Sequence, residues 1–99
     1  MNPVTTSQPR LEFTGVIFKE GRWYVSLCLE LDVASQGRTI REAKKMLAEA
    51  VTLHMETCFA SNLPYLRPVP KEEDPRFTTV KGLIETFPVK VDFNVLAVA

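Results

Sequence analysis

His54 and Cys58 stand four residues apart, the spacing at which two side chains meet on one helix face. A histidine beside a thiol is the minimum needed for nucleophilic catalysis near neutral pH. No third group that would orient the ring can be placed, and no loop resembles an oxyanion hole. His54 is therefore expected to pack on the apolar side of its helix, its ring nitrogens finding backbone or hydroxyl partners. The strand-borne carboxylates are Glu12, Glu30, Asp32 and Asp92. Two-metal hydrolysis needs several such groups converging on one point, which nothing in their spacing arranges. Glu30 and Asp32 are the pair from which a metal-dependent nuclease could still be built. Cys28 and Cys58 form no CxxC pair and the chain has one histidine. A structural zinc site takes about four ligands, so reduced cysteines, no metal and no cofactor are expected.

Charge points toward protein partners more than nucleic acid. Twelve basic residues balance twelve acidic ones, with a pI near 6.6. Phosphate backbones are bound through clustered Lys and Arg. Here the only adjacent basic pair is Lys44-Lys45, flanked by Glu42 and Glu49. Three residues qualify as partner contacts on a neutral protein: Tyr24, as an aromatic anchor on a strand, and the pair Glu72 and Glu73. Asp74 completes their acidic run and Lys44 offers a contact for an acidic patch, giving five candidates in all.

The elements that position these groups follow from periodicity. Leu11, Phe13, Gly15 and Ile17 alternate with Glu12, Thr14, Val16 and Phe18, and Gly21 supplies a hairpin turn. On the return strand Trp23, Val25, Leu27 and Leu29 share a face, and as the heavier, wholly apolar set they are expected to face the core. Tyr24, Ser26, Cys28 and Glu30 form a mixed face, open to solvent or to another subunit. Residues 32–38 form a short third strand or an extended connection. Thr39 followed by Glu42 is a capping box, in which the hydroxyl takes an N–H near Glu42 and the carboxylate reaches back to Thr39. The helix it opens is predicted from Ile40 to about Phe59. Its apolar side carries Ile40, Ala43, Leu47, Ala50, Val51, His54 and Cys58, with Met46 and Leu53 at the margin. Pro64 prevents resumption, and residues 63–76 form a proline-rich excursion over the surface. Residues 77–87 are ambiguous, and Val89, Val91, Phe93 and Val95 mark a terminal strand.

These elements make an α+β fold of two layers. A small antiparallel sheet, built of a hairpin, a short strand and a C-terminal strand, carries one long amphipathic helix on one face. Ninety-nine residues, 45% of them hydrophobic, suit a single domain over residues 11–99, preceded by a flexible segment over residues 1–10. A mean hydropathy near zero argues against both disorder and membrane insertion. No apolar stretch approaches the roughly 18–20 residues of a spanning helix, and the polar start lacks a signal-peptide core. The expected location is the cytoplasm. One helix covers one sheet face, so the other face and the strand edges suggest self-association as a dimer or tetramer.

Several of these residues together resemble the HicB-like antitoxins. The resemblance is carried by Trp23 to Cys28, Leu31 to Gly37, and a G-x-T-x-x-E-A helix start matched by Gly37, Thr39, Glu42 and Ala43. Asn62-Leu63-Pro64 fits the family's proline-bearing loop. The likeness spans Phe13 to about Pro70, with a looser match in the tail. It implies a degenerate ribonuclease-H-like fold without catalytic carboxylates. It also implies a partner: a HicA-type toxin, a small basic ribonuclease that cuts messenger RNA and is neutralised by direct binding. Many members add a C-terminal DNA-binding module. The chain departs from that pattern after Pro75, so operator binding is not expected. An orphan homo-oligomer holding a small ligand between subunits is the alternative.

Overall fold

The computed structural model describes residues 10–78 and 82–92. Within them the order is β1 (Arg10–Glu20), β2 (Trp23–Cys28), β3 (Val33–Gly37), α1 (Ile40–Ala60), a 3-10 turn (Lys71–Glu73) and β4 (Leu83–Asp92). The four strands form one antiparallel sheet in the order β3-β2-β1-β4, with α1 packed across it. This is the expected two-layer α+β architecture. Arg10 already belongs to β1; the rest of the segment expected to be flexible, residues 1–9, lies outside the described residues, as do Phe93 and Val95.

A helix leaving β3 and returning directly would deliver a strand parallel to β1. Instead the chain between α1 and β4 runs the length of the sheet, so that β4 enters at the hairpin end and runs antiparallel to β1, from Phe18↔Leu83 to Arg10↔Asp92. Of the ambiguous stretch, residues 79–81 lie outside the described residues, and from Gly82 (φ 92°) onward it is a turn followed by strand. Gly82 accepts the Lys19 amide through its carbonyl at 3.0 Å.

The register corrects one expectation. Ile17 stands opposite Ser26, and Gly15 opposite Cys28 and Phe87. This is the helix-facing side, and Ser26 and Cys28 on it are fully buried. Trp23, Val25 and Leu27, expected in the core, lie on the opposite, open side, where Trp23 remains 36% exposed. The physical reason is clearance. The first turn of α1 lies so close to β2 and β3 that only small side chains fit beneath it. Ser26 Oγ donates to the Ala43 carbonyl at 2.9 Å, and a Cβ on Gly37 would lie 2.6 Å from the Ala43 nitrogen. Bulk alone was a poor guide to the inner face.

Burial on α1 follows Ala43, Leu47, Val51, Met55 and Cys58, in steps of four and three. Met55 is fully buried, although it was not among the expected positions, and Ile40, Ala50 and His54 are half-buried. Met46 and Leu53 are exposed. Leu47, Val51 and Met55 close over Phe13, Cys28, Leu31, Val89 and Val91 to form the core.

Candidate interaction surface

The helix start is where the four residues shared with the HicB-like pattern meet. Thr39 Oγ1 accepts the Glu42 amide at 3.0 Å, as a capping residue should. The returning carboxylate reaches one residue past the expected target: Glu42 Oε1 accepts the amide of Arg38, not that of Thr39. Gly37 gives clearance and Ala43 seats the helix on Ser26. All four residues hold the sheet–helix junction together, and none presents reactive chemistry.

The open face is only partly covered. Thr14, Val16 and Phe18 lie on it beside Leu27 and Val25. At one end the excursion folds against it: Val69 donates its amide to the Leu29 carbonyl and Arg67 to that of Glu30. Glu30 reaches back to accept both the amide and the hydroxyl of Thr14, at 2.7 and 2.8 Å. At the other end Phe18 and Val25 are half-buried and Trp23 is exposed, with the Arg38 guanidinium 4.7 Å from the Trp23 ring. Sequence reasoning missed this Trp23–Arg38 surface because Trp23 had been assigned to the core. The small residues at 26, 37 and 43 were the signal that would have turned the strand over.

The residues singled out from the sequence are scattered. Tyr24 is half-buried on the helix-facing side, with Lys19 over its ring. Lys44, half-buried, pairs with Glu85 and lies over Phe87, so it ties α1 to β4. Glu72 and Glu73 are exposed on the 3-10 turn. Asp74, expected with them at a partner surface, is buried instead. It accepts from the amide of Arg76 at 2.9 Å and from its guanidinium at 2.9–3.2 Å, and these bonds hold its carboxyl below the usual range. Its task is to fold the excursion, and the acidic contact narrows to Glu72 and Glu73.

His54 Nε2 lies 3.0 Å from the Tyr65 carbonyl and 3.8 Å from Cys58 Sγ. A carbonyl can only accept, so this nitrogen carries the proton and has no lone pair with which to take one from the thiol. The pair therefore anchors the excursion to α1, helped by Phe59 packing edge-on to Tyr65. Cys28 is sealed in the core, and burial first, then the nearby Glu30 charge, pushes its thiol up to about 11. Among the described residues no three His, Cys, Asp or Glu side chains group as a metal site, and no helix is long and apolar enough to cross a membrane.

Comparison with protein-family models, curated proteins and solved structures returns no match.

Proposed function

We propose that this chain is a protein-binding module of the HicB-like antitoxin kind, acting by direct attachment to a small basic ribonuclease of the HicA type. The observation that carries the reading is the half-covered sheet. The helix protects one face, the excursion protects one end of the other, and Trp23, Val25 and Phe18 are left partly bare. Aromatic side chains with a flanking arginine are the composition of interface cores. Exposed Glu72 and Glu73 supply local negative charge for a basic partner, on a chain with no net charge to steer it. Gly37, Thr39, Glu42 and Ala43 support the kinship and serve the fold. In this reading the chain works in the cytoplasm, without catalysis of its own.

The test is to recover the chain with its bound proteins from its native cells. Any small basic partner is then titrated against the chain while messenger-RNA cleavage is followed. Stoichiometric loss of cleavage, weakened by Trp23→Ala, is the expected result. A partner whose ribonuclease activity is indifferent to the chain, or the absence of any ribonuclease partner, would overturn the proposal in favour of the orphan homo-oligomer.

A further inference from the structure

α1 buries Ala43, Leu47, Val51, Met55 and Cys58 against the sheet, and its outward side is not uniformly polar. Leu53 is 64% exposed and Met46 39%. Each stands between two carboxylates about one turn away: Met46 between Glu42 and Glu49, Leu53 between Glu49 and Glu56. Single exposed apolar side chains are ordinary, but this grouping repeats after seven residues. Glu42, Lys45, Met46 and Glu49 make one i, i+3, i+4, i+7 set, and Glu49, Thr52, Leu53 and Glu56 make the next. Four residues so arranged form the hole that receives one side chain of a facing helix. At the second set the hole is a shallow hollow of about 330 Å³, lined by Ala48, Glu49, Thr52, Leu53 and Glu56.

Charge and spacing define what these holes take. Among the described residues Glu49 and Glu56 join no ion pair, and Lys45, one turn before Glu49, is paired with neither it nor any other carboxylate. Glu42 gives one oxygen to the Arg38 amide and keeps the other. A side chain seated between two such carboxylates needs an apolar stem to lie along Leu53, Thr52 and Ala48. It also needs a positive head for the acids at either end, and arginine and lysine have both. The two holes are seven residues apart, about 10 Å along the axis. A helix that repeats a basic residue at the same interval fills both at once.

We propose that the outward face of α1 docks a cationic amphipathic helix of another protein. Two of its Lys or Arg residues, a heptad apart, sit between Glu42 and Glu49 and between Glu49 and Glu56, while its apolar side chains cover Met46 and Leu53. A second copy of this chain is the wrong occupant. Arg41, Lys44 and Lys45 are the only Lys or Arg residues of α1, no two of them are seven apart, and Lys44 is held by Glu85. Laid antiparallel on itself about Glu49, the same face would set Glu42 against Glu56 twice and Glu49 against its own copy. The docking face lies across the sheet from Trp23, so the proposal stands apart from the antitoxin reading.

The test is a titration of the whole chain, followed by amide chemical shifts, with a synthetic three-heptad helical peptide. It carries leucine along its apolar seam and arginine at every seventh residue beside it; a control peptide has glutamate for arginine. The arginine peptide is expected to bind, with shifts centred on residues 45–56, and the glutamate peptide roughly tenfold more weakly or less. Glu49→Lys alters both holes and should weaken binding by roughly tenfold, and Glu56→Lys, which alters one, by roughly threefold. Neither side chain belongs to the core, and circular dichroism confirms that both variants fold. Trp23→Ala should leave peptide binding unchanged. An arginine peptide that does not bind, that binds Glu49→Lys as tightly as the parent, or whose shifts centre on Glu72 and Glu73 would overturn the proposal. So would a parent chain that sediments as a dimer broken by Leu53→Ser, because a second copy would then hold the face. Loss of ribonuclease inhibition in Trp23→Ala would leave these results unchanged and bear only on the antitoxin reading.

Discussion

Replacing Gly37 by alanine sets two effects of opposite sign against each other. Gly37 does not adopt a positive φ, so alanine meets no backbone penalty there. On chain entropy alone the change would stabilise the fold by about 0.4–1 kcal/mol, by restricting the unfolded state. Space argues the other way. The new Cβ would lie 2.6 Å from the Ala43 nitrogen and 2.9 Å from both the carbonyl carbon and Cβ of Glu42. Ordinary contacts are about 3.5–4.0 Å, so the start of α1 would have to lift by about 1 Å. Two of these three atoms are backbone, which cannot rotate aside. The displacement would also stretch the 2.9 Å Ser26–Ala43 hydrogen bond. Overpacking costs about 1–3 kcal/mol, and a rigid neighbour puts this site near the upper end. Net destabilisation of about 2 kcal/mol is expected, larger than the roughly 1 kcal/mol for losing the cap in Thr39→Ala. Urea denaturation followed by circular dichroism, at one fixed protein concentration, measures it as a midpoint lowered by about 1–2 M. A Gly37→Ala chain as stable as the parent, or more so, would refute the close approach of helix and strand.

Other consequences follow from the buried polar groups. Ser26→Ala removes the hydroxyl that donates to Ala43 and should cost about 1 kcal/mol in the same assay. Asp74 is held below its ordinary value of 3.8 by Arg76, so the fold binds its proton less readily than the unfolded chain does. The stability this contributes is complete above that value and is lost as pH falls through the lower, folded one. Arg76→Ala should therefore cost about 1 kcal/mol at neutral pH, a modest figure because the arginine is partly exposed, and the gap from the parent should close in acid. Cys28 has the opposite sign: its thiol keeps its proton up to about 11 in the fold, against 9.0 ordinarily. Its contribution is complete below pH 9 and is lost between 9 and 11, so stability should fall by about 3 kcal/mol relative to Cys28→Ala across that window. The same burial should leave native Cys28 unreactive toward thiol reagents at neutral pH.

What the sequence made legible was decided by local chemistry. The hairpin at Gly21, the Thr39 cap, the helix over Ile40–Ala60 and its end before Pro64 each depend on residues within one turn of one another. Faces and directions depend on distant contacts and were harder to read. The inner face of β2 is set by how closely α1 approaches, which Gly37 and Ala43 control from outside the strand. The antiparallel sheet with its C-terminal strand is as expected, and what turns β4 antiparallel to β1 is the span of the excursion, which brings the chain back to the hairpin end. Asp74 stands in sequence as the last of three acids, and only Arg76 folding back onto it separates it from Glu72 and Glu73.

The same distinction applies to the interaction surface. Tyr24 and Lys44 qualify as contacts by residue type, but the fold spends both on internal contacts with Lys19, Glu85 and Phe87. What remains available on the sheet, Trp23 with Arg38 on one face and Ala34 with Gln36 along one edge, is defined by what the other elements leave uncovered. The two available regions differ in kind. The face offers side chains, whose shape and charge can be matched by an unrelated partner. The edge offers backbone groups, which any strand can satisfy, and its specificity has to come from flanking charge. Of the flanking charges, Arg38 lies over the Trp23 ring and Asp32 sits in the turn before β3 with φ 54°, so neither is laid along the edge. On the sheet, the aromatic face is therefore where this fold places a surface that can tell one partner from another.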